Sequence, residues 1–250
     1  RRFHCWKRGG HGTVRLERSL AESCDVYYYE VAQKVGIDKI AEMGRRLGLG
    51  HKFDIPMSAV TDGIMPDKAW MLERYKQEWR IGDTINASIG QGYVLASPLQ
   101  LAVMTARIAS GRAVEPRLVH VVDGKELPVA DAPVLDIAPE FLNAVRKGMH
   151  DVVNGAQGTA KGSRVVEPTM VFAGKTGTSQ VRNITAAERA RGVVSNDQLP
   201  WNRRDHALFV GYAPYDNPRY AVSVVVEHGS GGSTTAAPIA RDVILAALNK

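Results

Sequence analysis

Apolar residues recur at helical spacing through residues 15–47, first in "RLERSLAES" and then in "DVYYYEVAQKVGIDKIAEMGRRLGLG", where Gly48 and Gly50 end the second run. Between the two runs, Ser23-Cys24-Asp25 carries the side chains of a helix N-cap. Residues 51–85, punctuated by Pro56, Gly63 and Pro66, read as loop-rich. "SPLQLAVMTARIASG" at 97–111 predicts a helix with Ser97 as its cap, Pro98 at its first position and Gly111 as its stop. Residues 113–136 predict a small extended insertion, and "APEFLNAVRKGMHDVVN" at 138–154 an amphipathic helix ending at Gly155.

The period then changes. "TMVFAGKTGT", "HALFVGYAP" and "YAVSVVVEHG" are strand-like runs rich in Val, Tyr and Phe. "YDNP" joins the last two and predicts an antiparallel hairpin. "TAAPIARDVILAALNK" predicts a closing helix. Helices to about residue 155, then a strand cluster and a helix over about 165–250, give an α+β fold with helices flanking an antiparallel sheet. The polar segment 181–204, with several arginines, is long enough for a mobile loop beside an active site.

The composition is that of an ordinary globular protein, with 44% hydrophobic and 23% charged residues, and 250 residues suffice for one large domain or a domain with a lobe. The net charge of +6 comes from 32 basic residues scattered along the chain rather than tracked on one helix with aromatics, which argues against nucleic-acid binding. A mildly basic surface serves solvation, or an anionic partner such as a membrane or cell-wall polymer. No run of eighteen apolar residues encodes a membrane span. The opening "RRFHCWKRGGHG" lacks the features of a signal peptide and reads as the interior of a longer chain.

"VFAGKTGTSQ" sets a cation and two hydroxyls directly after an apolar run. Lys175 at a strand position facing a cleft attracts a substrate carboxylate, and the Thr176 and Thr178 hydroxyls share it. Gly177, without a Cβ, lets a substrate backbone approach the strand edge. An amide N–H near Thr178 can aim at an oxyanion. The plainer reading is a strand end followed by a turn. Ser23 and Asp25 at a helix start can relay protons and hold a substrate amide, or they can simply cap the helix. His206, in "RRDHALF", reads as a loop-packing residue rather than a base.

Ser23-Cys24-Asp25 and Lys175-Thr176-Gly177 stand in the order of the second and third elements of the S-x-x-K, S-D-N, K-T-G set of penicillin-binding proteins and serine β-lactamases. With "GDTINASIGQGYVLASPLQLA" and "DHALFVGYAPYDNPRYAVSVVVEHG", nearly the whole chain resembles the transpeptidase domain of class B, elongation-type penicillin-binding proteins. There are two departures. The second element ends in Asp25 rather than Asn, and no Ser or Thr is followed three positions later by Lys, so the acylating serine and its lysine are not in these residues.

The resemblance implies a penicillin-binding-protein/serine β-lactamase-like fold, N-terminally incomplete. It implies a peptidoglycan D,D-transpeptidase that cross-links stem peptides through an acyl-enzyme and is a target of β-lactams. In that scheme Ser23, Asp25 and Lys175 are catalytic, Thr176, Gly177 and Thr178 bind substrate, and the reaction requires no cofactor. It further implies a periplasmic domain anchored in the inner membrane by an upstream helix, with a glycosyltransferase and scaffold proteins of the elongation machinery as partners. Two rival readings are a serine β-lactamase or β-lactam sensor, which "GDTINASIGQGYVLASPLQLA" disfavours, and a non-catalytic binding module.

Cys5, His11 and Cys24 follow the spacing C-x5-H-x12-C and supply three of the four ligands of a structural zinc. Some members of the resembled family have such a metal beside the second motif, with an acidic residue in place of Cys5. A fourth ligand is expected from upstream, with His4 a poorer local choice. A Cys5–Cys24 disulfide in an oxidising compartment, or a Cys24 that is merely a small buried residue, are the alternatives.

Overall fold

The computed structural model describes residues 3–129 and 131–250; Ala130, inside the predicted insertion, and Arg1 and Arg2 lie outside the described residues. Among those described, helices α1 (Leu16–Ala21), α2 (Asp25–Val35), α3 (Ile37–Arg46), α4 (Lys68–Tyr75), α5 (Ile81–Ala87) and α6 (Pro98–Ser110) come first. A short hairpin, β1 (Val121–Val122) and β2 (Lys125–Glu126), and helix α7 (Pro139–Asn154) follow. Strand β3 (Ala173–Ser179), helix α8 (Ala186–Arg191), strands β4 (His206–Ala213) and β5 (Tyr220–Val226) and helix α9 (Ala237–Leu248) complete the chain. They form two compact units, residues 26–143 and residues 1–25 with 144–250.

In the unit of residues 26–143, the predicted second helical run is split. Gly36 adopts φ +82°, a left-handed conformation that ends α2 and lets α3 start at once. The 51–85 region also holds more helix than its prolines suggest. Asp67 caps α4 by accepting from the Trp70 N–H at 2.8 Å, and α5 begins at Ile81. Helix α6 forms as predicted, with Ser97 and Gln100 in a reciprocal capping box and Gly111 at φ +72°. Gln100 is fully buried, and its amide donates to the carbonyls of His51 at 2.9 Å and Asp62 at 2.8 Å. One side chain thereby fastens two loop stretches to the helix.

The other unit is built on an antiparallel sheet ordered β3-β4-β5. The β4–β5 hairpin pairs Ala213 with Tyr220 and Ala207 with Val226, as the "YDNP" turn predicts. Strand β3 runs antiparallel to β4, with Lys175 opposite Val210 and Gly177 opposite Leu208. It starts later than its apolar run suggests, because Pro168–Met170 form a 3₁₀ turn first. Helix α9 packs on the sheet through Ala237, Ala240 and Ile244, meeting Phe172, Ala207, Phe209 and Ala213 in a fully buried cluster. Burying a side chain such as Phe209 stabilises by about 1.5–3 kcal/mol. Small residues make this close packing feasible: a Cβ on Gly174 would lie 2.2 Å from the Phe209 ring. Segment 181–204 is not featureless; it carries α8 and 3₁₀ turns at Asn196–Gln198 and Trp201–Arg203.

Candidate active site

Helix α1 stops at Ala21, and the chain reverses through Glu22 and Ser23 before α2 begins at Asp25. The reversal is tied by Cys24 N–H to Ser19 O at 2.9 Å and Ser23 N–H to Leu20 O at 3.2 Å. Ser23 sits at φ +52°, a left-handed conformation that costs a non-glycine residue about 1–3 kcal/mol and persists only where surroundings enforce it. Those surroundings are visible. The Trp6 indole N–H donates to Ser23 O at 2.9 Å and Glu22 O at 3.2 Å, and the Trp6 backbone N–H donates to Asp25 Oδ2 at 3.1 Å.

The strained turn points the Ser23 hydroxyl at β3. Lys175 Nζ donates to Ser23 Oγ at 2.8 Å and to Thr176 O at 3.0 Å, joining motifs 152 positions apart. Lys175 loses hydration among the packed atoms around it, which pushes its pKa down to about 8, while the charge of Asp25 acts in the opposite sense. Burial raises the Asp25 pKa, against the lowering influence of the Trp6 N–H, the Cys5 side chain, Lys175 and His11. A lysine with a pKa near 8 exists as both ammonium and amine near neutral pH. It can therefore attract an anion and also exchange a proton with the hydroxyl it touches.

Thr176 is held from the side. Its hydroxyl shares a 3.0 Å hydrogen bond with the hydroxyl of Thr159, whose own N–H donates to Ala21 O at 3.1 Å. Thr159 thus links the end of α1 to β3, a role the sequence analysis missed. The local signal was present in "NGAQGTAKG", where a Cβ on Gly158 would lie 2.3 Å from the carbonyls of Asp151 and Val152, so only glycine permits the turn. Gly177 and Gly232 also meet closely, since a Cβ on Gly232 would lie 2.5 Å from Gly177 O and 2.4 Å from Leu208 O. Thr178 is exposed near the end of β3. Among the described residues β3 pairs with β4 alone, so its other edge has no strand partner.

His206 is occupied by packing contacts. Its Nδ1 accepts from the backbone N–H of His228 at 2.8 Å, and His228 packs edge-on against Trp201. Asp205 accepts from the Val181 N–H at 3.2 Å and from Asn196 Nδ2 at 3.1 Å, holding the beginning and an interior turn of the 181–204 segment to the residue before β4.

Cys5, His11 and Cys24 converge beside the Ser23 turn, with their ligand atoms within 4.8 Å of one another. Cys5 Sγ lies 3.5 Å from His11 Nδ1, close to the roughly 3.5 Å expected between two ligands of one tetrahedral zinc. No disulfide joins the two cysteines. His11 Nε2 is buried without a hydrogen-bond partner. His4 is exposed and stands outside the cluster. The donor types are those a zinc ion takes, and a site built from them needs a further ligand.

A hydroxyl–lysine pair beside the first strand of an antiparallel sheet backed by a C-terminal helix matches the second and third motif elements of the penicillin-binding-protein class. The family model for the penicillin binding protein transpeptidase domain matches residues 1–245, and the chain belongs to that family. Among its relatives is the peptidoglycan D,D-transpeptidase MrdA of Haemophilus influenzae, 38% identical over 256 residues that take in 100% of this chain and 39% of that protein. The MrdA of Acinetobacter baumannii is 37% identical over 94% of this chain and 35% of its own length. The chain therefore spans well under half of these relatives.

Solved structures agree on the fold. Pseudomonas aeruginosa PBP2 in complex with WCK 5153 superposes with a TM-score of 0.84 at 38% identity, covering 99% of this chain and 52% of that one. The complex between PBP2 and MreC from Helicobacter pylori contains a chain that superposes with a TM-score of 0.82 at 32% identity, covering 99% of this chain and 42% of that one. The architecture is the α+β transpeptidase fold of the elongation-type penicillin-binding proteins.

Proposed function

We propose that this chain forms the part of a peptidoglycan D,D-transpeptidase that receives the donor stem peptide and relays its protons. The observation that carries this reading is the 2.8 Å contact between Lys175 Nζ and Ser23 Oγ. An acylating serine, deprotonated by its S-x-x-K lysine in a segment outside these 250 residues, attacks the penultimate D-Ala carbonyl and expels the terminal D-Ala. An amine of a neighbouring stem then takes the acyl group and completes the cross-link. Ser23 carries a proton between that base and the leaving amine, with Lys175 next to it to shift its acidity. Asp25, fixed by the Trp6 N–H, orients the Ser23 turn.

The Lys175 ammonium and the hydroxyls of Thr176 and Thr178 hold the terminal carboxylate. Gly177 allows the stem peptide to lie along the unpaired edge of β3. The backbone N–H of Thr178 supplies one oxyanion donor; losing such a donor raises a barrier by about 2.7–4 kcal/mol. β-Lactams enter by the same route as mimics of the D-Ala-D-Ala end.

Zinc is the finer part of the proposal, with Cys5, His11 and Cys24 as its ligands. Bound there, it would cross-link the 5–11 segment to the Ser23 turn and supply stability rather than reactivity. The residues of the proton relay need no cofactor for acyl transfer. We also place the intact protein in the inner membrane with this domain in the periplasm, although among the described residues no helix is long and apolar enough to cross a membrane. Scaffold and glycosyltransferase partners are supported by the neighbouring structures of a PBP2–MreC complex and of a peptidoglycan synthase complex that coordinates polymerization and crosslinking.

Intact-mass spectrometry after incubation with a penicillin tests the reading, on this chain and on a longer form carrying an S-x-x-K segment N-terminal to it. The expected result is an adduct on the longer form alone, at the S-x-x-K serine. An adduct on this chain, or on neither form, would overturn it, and the second result would favour a module that only binds carboxylates.

A further inference from the structure

The metal reading leaves one buried group without a role. Glu22 is 5% exposed, sits one residue before Ser23 and belongs to neither active-site motif. Its Oε1 accepts from Arg18 Nε at 2.5 Å, and its Oε2 lies 3.8 Å from Lys7 Nζ and 3.9 Å from His11 Nε2. That imidazole nitrogen is the one that is buried without a hydrogen-bond partner. The other, Nδ1, faces Cys5 Sγ at 3.5 Å. The ring therefore has one nitrogen turned to the thiols and one turned to a carboxylate whose nearer oxygen is not taken by Arg18.

We propose that Glu22 is the positioning residue of the metal site: it takes a hydrogen bond from His11 Nε2–H and so commits His11 to bind the metal through Nδ1. The inference rests on the zinc reading and adds to it a residue and a choice of nitrogen. A ligating histidine whose second nitrogen donates to a carboxylate has its tautomer and ring orientation fixed and its basicity raised. The geometry needs only a small ring movement toward the thiolates and a matching side-chain adjustment of Glu22. The Trp6 ring packs on His11 at 5.6 Å between centroids while its N–H holds Glu22 O at 3.2 Å, so both partners are braced by one side chain. Arg18 and Lys7 balance the carboxylate, which would otherwise repel two thiolates. Glu22 also lies in the turn that presents Ser23, so the metal, the carboxylate and the motif serine share one short stretch of backbone.

The test uses this 250-residue chain and zinc alone, with two readouts. Long-range proton–nitrogen correlation spectra of the ¹⁵N-histidine-labelled, zinc-loaded chain report which nitrogen of His11 keeps its proton. Competition with a chromophoric chelator gives zinc affinity for the wild type, Glu22→Ala and Glu22→Gln. The expected result is a proton on Nε2, an affinity roughly 10–100-fold weaker in Glu22→Ala, and substantial recovery in Glu22→Gln, whose amide oxygen still accepts. A proton on Nδ1, or Glu22→Ala binding zinc as tightly as the wild type, overturns the proposal while leaving the metal reading intact. A wild-type chain that takes up no zinc overturns both. The spectra of the wild type decide the nitrogen even if a variant folds poorly.

Discussion

Replacing Lys175 with methionine separates what the ammonium does for the reaction from what it costs the fold. A lysine whose pKa falls from 10.5 to about 8 on folding leaves the folded state about 3 kcal/mol less stable below pH 8 than a lysine left in water. The unfolded chain binds more protons than the folded chain between about pH 8 and 10.5, so stability rises with pH through that window and is lowest and flat beneath it. About 2 kcal/mol of this deficit should be recovered between pH 7 and 9.5. Methionine keeps most of the stem and carries no charge, but it gives up the bonds to Ser23 Oγ and Thr176 O, a loss of about 1 kcal/mol. The variant should therefore be about 2 kcal/mol more stable than the wild type at pH 7 and nearly equal to it at pH 9.5. Urea unfolding of the two proteins at both pH values measures the gap, and groups other than Lys175 largely cancel in the difference. A gap that stays constant with pH, or a less stable variant at pH 7, would refute the argument that burial of this cation stresses the site. A more stable variant that has lost its relay is the usual relation between stability and function at a strained site.

Other substitutions address the elements that frame the pair. Thr159→Val leaves the Thr176 hydroxyl without its 3.0 Å partner, and urea unfolding should show a loss of about 1 kcal/mol that Thr159→Ser largely restores. Gly232→Ala places a methyl group 2.4 Å from Leu208 O, so thermal unfolding should reveal a loss of about 1–3 kcal/mol from displacement of the turn before α9 away from β3.

The parts of the fold that could be read from the sequence are those whose cause is local. Helix α6 carries its cap, its proline and its terminal glycine within its own residues, and the β4–β5 hairpin carries its turn. Helix α4 was hidden because Pro66 and a polar composition dominate the window, although Asp67 three residues before Trp70 was an N-cap signal. The division of the second helical run depends on a single residue, Gly36, in a run whose apolar spacing continues across it.

At the site, "KTGT" and "SCD" supplied the chemical groups, but the conformation of Ser23 had no local signature. Its positive φ is enforced by Trp6 from one side and by a lysine 152 positions away from the other. Thr159, Glu22 and Trp6 escaped notice for the same reason, since each acts through a partner that only the folded chain brings near. The gathering of Cys5, His11 and Cys24 could be anticipated from type and spacing, whereas the orientation of the His11 ring could not.

The route of the chain between the two halves of the site also bears on how the site comes to exist. Ser23 and Lys175 close a ring of 152 positions, and for a flexible chain that closure alone costs about 4 kcal/mol in entropy. Most of the intervening length, residues 26–143, is a compact unit in its own right. Once that unit is folded, its two ends are held at a set separation, and only the shorter connections outside it remain to be ordered. Where that unit forms first, the contact on which the chemistry depends waits on residues that take no part in it, such as Gln100, which ties two loop stretches to α6. A substitution that merely delays folding of that unit would lower the yield of competent protein at constant equilibrium stability, and would register as a loss of function with every motif intact.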